Sequence, residues 1–161
     1  MKDANDQSLR DHILYLLNDG GAHAKFDDAI KDWPAPLRGK KVNDLPYSAW
    51  ALLEHLRIAQ SDILDFSTNA KYKAMTWPDD YWPKSDGPPS AAAWDKSIHD
   101  FKKDLQAITA LVRDPKTDLY AKLPWGYGQT ILREALLVAD HNSYHVGQLV
   151  TLRRVLGAWK E

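Results

Sequence analysis

Apolar residues in the third quarter of the chain recur at Trp94, Ile98, Phe101, Leu105, Ile108 and Val112. The spacings alternate between four and three, the signature of a helix that buries one stripe against a bundle. A serine cap at Ser90 should start this helix, and Asp114-Pro115 should end it. A second pattern runs from about Ser48 to Thr68, with an inward stripe of Leu52, His55, Ala59, Asp62 and Phe66. A third runs from about Thr130 to Leu156 with Val138, His141, His145, Leu149 and Leu152, and Gly157 is placed to stop it. The first helical region, about Asp6 to Ala29, carries Leu9, Ile13, Leu16 and Phe26, with Ile30 just beyond, and Gly20-Gly21 should kink or split it.

No alternating strand pattern, internal repeat or low-complexity tract is present. Four helical regions within 161 residues predict a single all-α domain, residues 1–161, built as a four-helix bundle. Two connections stand out. Residues 31–47 contain three prolines, and residues 69–89 form a loop long enough to be functional. Trp77, Tyr81 and Trp82 in that loop argue against disorder, and Pro78 and Pro83 stiffen it. Two roles are open to the segment: it packs over one end of the bundle as a pocket wall, or its rings only cap the core or line a dimer contact.

Composition narrows the function classes. The formal net charge is -1 and no basic block occurs, so a nucleic-acid partner is not expected. Cysteine is absent, which removes disulfides, thiolate metal sites and a cysteine nucleophile. The N-terminus has no signal-peptide pattern, and the apolar runs are too short for a membrane span. A cytoplasmic protein is the expectation.

The candidate chemistry lies in histidine placement. His141 and His145 are four residues apart, so both project from one helical face. His55 occupies an inward stripe of another helix, where an unsatisfied imidazole would cost free energy. Three inward histidines on two helices suit a divalent metal such as zinc, nickel, iron or copper, with positions left open for water or substrate. The sequence "HNSYH" has Asn142 where zinc proteases of the HExxH type carry a glutamate base, so peptide hydrolysis by that route is not expected. Asp62 follows His55 by two turns. It could orient a ligand or satisfy a tyrosine hydroxyl. His23 could approach the metal after the glycine break, or stay at the surface. His12 and His99 read as surface residues, and Tyr144 as facing away from the two ligands of its helix.

The segments "WALLEHLRIAQSDILDF" and "LREALLVADHNSYHVGQLVTLRR" together resemble the DinB-like (DinB/YfiT-like) family of metalloenzymes, unrelated to the DNA polymerase of similar name. The resemblance spans nearly the whole chain. It implies an up-down-down-up four-helix bundle that often forms a homodimer, and a nickel or zinc ion held by residues matching His55, His141 and His145. It further implies a small-molecule substrate. Relatives include S-transferases and an isomerase that depend on a low-molecular-weight thiol, and metal-dependent hydrolases. With no cysteine in the chain, any thiol would be diffusible. Because function lives in a site rather than a fold, a non-catalytic module that binds metal or a small ligand stands as the alternative.

Overall fold

Ser48, Ser90 and Thr130 each open a long helix in the computed structural model of the chain. Their side-chain oxygens accept hydrogen bonds from the backbone N–H groups of Ala51, Ala93 and Arg133 at 3.1 Å. These satisfy donors that a helix start leaves unpartnered. The structure describes residues 2–19, 21–43 and 45–159. The helices are α1 (Lys2–Asp19), α2 (Phe26–Ile30), α3 (Ala49–Thr68), α4 (Ala91–Arg113) and α5 (Ile131–Val155), with a 3-10 turn at Ala35–Leu37. Among the described residues there is no strand, only an isolated bridge between Lys122 and Thr130. The protein is all-α.

The N-terminal region departs from the single interrupted segment read from the sequence. It forms two helices, and α1 begins at Lys2, before Asp6. Gly21 has φ +63°, a left-handed conformation that glycine adopts without steric cost, and the chain turns there. Gly20 lies outside the described residues. The buried stripe also differs: Ile13 and Leu17 are buried while Leu16 is 44% exposed. Ile13 and Leu17 are four residues apart and share a face, and Leu16 is rotated away from it.

Helices α1 and α3 each pack against both α4 and α5, which also touch one another. Arg10 of α1 is buried and donates to the carbonyls of Val112, Asp114 and Thr117 at 2.7, 3.0 and 2.7 Å. A cation thereby meets the orphan carbonyls and the negative dipole end of α4. Asp114 caps the C-terminus of α4, and Gly157, with φ +68°, follows the last turn of α5.

The apolar interior divides into two clusters. One gathers Leu52, Leu56, Trp94, Phe101, Leu149 and Leu152, and the other Ile13, Ile108, Val112, Leu119 and Val138. On α3 the first cluster reaches Leu56 and the second resumes at Ile63; on α5 the corresponding limits are Val146 and Ala139. The level between them is polar. There Gln60, 1% exposed, donates to the Phe101 carbonyl at 2.6 Å and accepts from Asn142 at 2.9 Å. All three candidate ligands occupy or border this level. Among the described residues no helix is long and apolar enough to cross a membrane.

Candidate metal centre

His55 comes from the middle of α3, and His141 and His145 come from successive turns of α5. The packing of α3 on α5 brings the three rings together, with centroids 4.5 to 5.0 Å apart. One ring nitrogen from each lies within 4.8 Å of the others. His55 and His145 are buried, and His141 is partly buried.

The outer nitrogens of His55 and His145 are committed elsewhere. His55 Nδ1–H donates to the Tyr81 carbonyl at 2.9 Å, and His145 Nδ1–H donates to Gln148 Oε1 at 2.7 Å. Carbonyl oxygens only accept, so each partner fixes a proton on Nδ1 and leaves Nε2 as a free lone pair. This arrangement of outer carbonyls is the one that orients metal-ligating histidines. His55 Nε2 and His141 Nε2 stand 3.1 Å apart.

Electrostatics keep the rings neutral. Burial lowers the pKa of His141 to about 3, helped by repulsion from His145 and His55. Burial lowers His145 to about 4, against the opposing hydrogen bond to Gln148 and with repulsion from His55. Burial also lowers His55, offset in part by the Tyr81 carbonyl. Neutral imidazoles are the form that binds a metal.

The donor set fits a divalent ion of the borderline class. Three imidazoles without a carboxylate suit zinc, nickel, iron or copper rather than magnesium or calcium. Imidazole nitrogens bound at about 2.0–2.1 Å to one tetrahedral zinc stand roughly 3.3–3.4 Å apart, close to the His55–His141 separation. A pocket of about 750 Å³ opens beside the three rings, so positions beyond three nitrogens are accessible to a small molecule.

The long loop builds one wall of this pocket. Trp82 stacks on His55 with centroids 3.9 Å apart and planes 2° from parallel. Trp77 and Tyr81 also line the pocket. Asp62 accepts from both the Tyr72 and Tyr81 hydroxyls, at 2.9 and 2.7 Å. Of the two roles open to it, the structure shows the tyrosine partnership. Its link to His55 runs through Tyr81, whose hydroxyl holds Asp62 and whose carbonyl holds the ring. Burial and the bond to Asp62 push the Tyr72 phenol up to about 12 and raise Tyr81 further, so both remain protonated donors.

Other expectations are relocated. His23 does not join the cluster: its Nδ1 pairs with the Ala24 carbonyl and its Nε2 with Ser143 Oγ at 2.8 Å, in a separate cleft. Asn142, between the ligands in sequence, turns to Gln60 in the polar layer. Tyr144 does not face away: its ring centroid is 4.9 Å from that of His145 and it lines the pocket. Glu54 pairs with Arg57 and, across helices, with Ser97. His12 and His99 are exposed. Gln148 was missed, although its position three residues after His145 places it on the same face of the helix. Compared with known proteins, the chain matches no family model, no curated protein and no solved structure.

Proposed function

We propose that the protein is a divalent-metal enzyme of the DinB-like kind, acting on a small molecule in the pocket beside His55, His141 and His145. The single observation carrying this is the convergence of three neutral imidazoles, two of them oriented by carbonyl partners, on an open pocket. The four long helices α1, α3, α4 and α5 are assigned the up-down-down-up order of that family, and nickel or zinc is the proposed metal. When bound, such a metal supplies Lewis-acid chemistry, polarising a carbonyl or lowering the pKa of a water or thiol.

The protein's own contribution is positional. Tyr81 and Gln148 hold the outer nitrogens of His55 and His145, which orients the inner nitrogens. Trp82 covers the face of His55 and restricts the ring to one plane.

No free carboxylate faces the pocket among the described residues. Asp62 already accepts hydrogen bonds from two phenols, and Asn142 replaces the glutamate of the HExxH proteases. A reaction needing a strong protein base is thereby disfavoured. Transfer or isomerisation with a diffusible low-molecular-weight thiol fits better, and hydrolysis assisted by the metal alone is the other enzymatic form. The same missing base favours a second reading, a non-catalytic module for metal or a small ligand.

Elemental analysis of the purified protein tests the metal. About one nickel or zinc per chain is expected, lost in the His141→Ala, His145→Ala double variant. Equal metal in that variant would overturn the assignment. Turnover of electrophiles with a panel of low-molecular-weight thiols separates the enzyme from the binding module.

A further inference from the structure

Ser48, His55 and Asp62 follow one another at intervals of seven residues along α3, with Ser48 as its N-cap. Seven residues make about two turns, so the three share nearly one face and stand about 10.5 Å apart along the axis. The chain between α3 and α4 runs along that face in the opposite direction. Tyr72 and Tyr81 meet Asp62, Tyr81 and Trp82 meet His55, and Asp86 meets Ser48. The segment is a strap with three fastenings, and the histidine cluster lies at the middle one.

The fastening at Ser48 is buried and uses the whole hydroxyl. Ser48 is 0% exposed, and its oxygen accepts from the Ala51 N–H at 3.1 Å while its proton is donated to the Asp86 carbonyl. Capping needs only the acceptor, which leaves the donor for the strap. The salt bridge from Lys41 to Asp86 adds little, since its side chains are 42% and 60% exposed.

A backbone contact holds the same end of the strap. A Cβ added at Gly39 would stand 2.8 Å from the Cα of Gly87, 3.3 Å from its nitrogen and 3.2 Å from the Asp86 carbonyl oxygen. Only a residue without a side chain lets two backbones come so close. Gly39 has little room to retreat, because its neighbour Arg38 is held three ways. The Arg38 carbonyl accepts from the Trp50 N–H at 2.8 Å, its Nε–H donates to the Trp33 carbonyl at 3.3 Å, and its guanidinium lies 4.7 Å from the Trp94 ring centroid. Asp86 is exposed, so a larger residue at position 39 displaces the strap.

We infer that Ser48 and Gly39 are positioning residues of the metal centre, fixing through Asp86 and Gly87 where the Tyr81 carbonyl and the Trp82 ring meet His55. Trp82 and Asp86 are four positions apart, and Pro83 fixes one of the φ angles between them. A displacement of Asp86 is therefore passed on to Trp82 and Tyr81. The inference rests on reading the three histidines as a metal centre, but the hold of the strap on His55 is measurable without the ion.

The test uses the full-length protein, both zinc-loaded and metal-free, and three variants. Ser48→Ala removes a cap together with the strap fastening. Ser90→Ala removes the corresponding cap of α4 and nothing of the strap. Gly39→Ala keeps every hydroxyl and presses on the strap. Chelator competition reads zinc affinity. Proton NMR reads the His55 Nδ1–H signal, which the bond to the Tyr81 carbonyl shelters from exchange. Ser48→Ala and Gly39→Ala should each weaken zinc binding at least about threefold and shift the His55 signal in both states. Ser90→Ala should change affinity less than about twofold and leave the signal in place, since a cap alone acts on its own helix. An unmoved signal in folded Gly39→Ala, zinc affinity retained by both strap variants of a zinc-binding parent, or an equal loss in Ser90→Ala would each overturn the inference. Gly39→Ala keeps the cap, so it carries the test where Ser48→Ala fails to fold. A parent protein that takes up no zinc would sink the metal reading alone, because the His55 signal of the metal-free protein still reports the strap.

Discussion

Replacing Asp62 by alanine removes the acceptor of two phenolic hydroxyls and touches no histidine directly, which makes it a sensitive probe of how the centre is held. Tyr72 and Tyr81 lie on the loop, ten and nineteen residues beyond Asp62. Hydrogen bonds to a charged acceptor contribute about 1.5–3 kcal/mol each when buried. Here all three partners are partly exposed, so the freed hydroxyls regain water and the total loss is discounted to about 1–3 kcal/mol. The local effect is larger than the global one, because the Tyr81 carbonyl that orients His55 rides on the same segment. Loss of an outer-shell partner typically lowers metal affinity 10–100-fold; for an indirect partner the low end, about tenfold, is expected. Competition for zinc with a chromophoric chelator reads the affinity, and urea unfolding reads the stability. Tyr81→Phe deletes the hydroxyl while keeping the carbonyl, so its effect and that of Asp62→Ala should be less than additive in a double-mutant cycle. Unchanged zinc affinity in Asp62→Ala, or strict additivity with Tyr81→Phe, would refute the reasoning and leave Asp62 with a purely structural task.

Chelation should leave the helical circular dichroism intact, because two apolar clusters form the interior without the ion; global unfolding on metal removal would contradict this. Metal-free protein should lose stability as pH falls from about 6.5 toward 4, where the unfolded chain binds protons that neutral His141 and His145 refuse. The slope is at most about 1.4 kcal/mol per pH unit for each histidine, and it should flatten above pH 7.5. Urea unfolding at a series of pH values measures it, and an equal slope in the His141→Ala, His145→Ala variant would remove its cause. Trp82→Ala deletes the ring stacked on His55 and should weaken zinc binding several-fold in the same chelator competition, with the fold retained; unchanged affinity would confine Trp82 to packing. We also propose that the chain forms a homodimer, since bundles can bury a leftover apolar face by symmetric pairing; a monomer mass by light scattering at micromolar concentration would count against it.

Periodicity made α3, α4 and α5 legible, and with them the histidines, because all three ligands sit on stripes whose direction a helix fixes. Leu52, His55 and Ala59 are buried in register, as are Val138, His145, Leu149 and Leu152. The same rule failed where its premise failed. Beyond Asp19 the chain leaves the helix, so Leu16 and Phe26 were never on one continuous face, and the buried position passed to Leu17.

The partners of the histidines divide along the same line. Gln148 belongs to the helix that carries His145, and its contact follows from a spacing of three that could have been read. The Tyr81 carbonyl and the Trp82 ring reach His55 across 26 and 27 residues through a loop with no period, and a backbone carbonyl leaves no trace in residue identity. Yet the loop is not arbitrary. Its tyrosines are tied to α3 at Asp62, one side of the pocket, while Trp82 meets α3 at His55, two turns earlier. Two anchors on one rigid helix set the height of the intervening chain, and that height is what brings the Tyr81 carbonyl to Nδ1. The aspartate was visible in the sequence as a polar residue on an inward stripe. What a single stripe could not show is that its partner would be the loop, and that through the loop it would act on a histidine of its own helix.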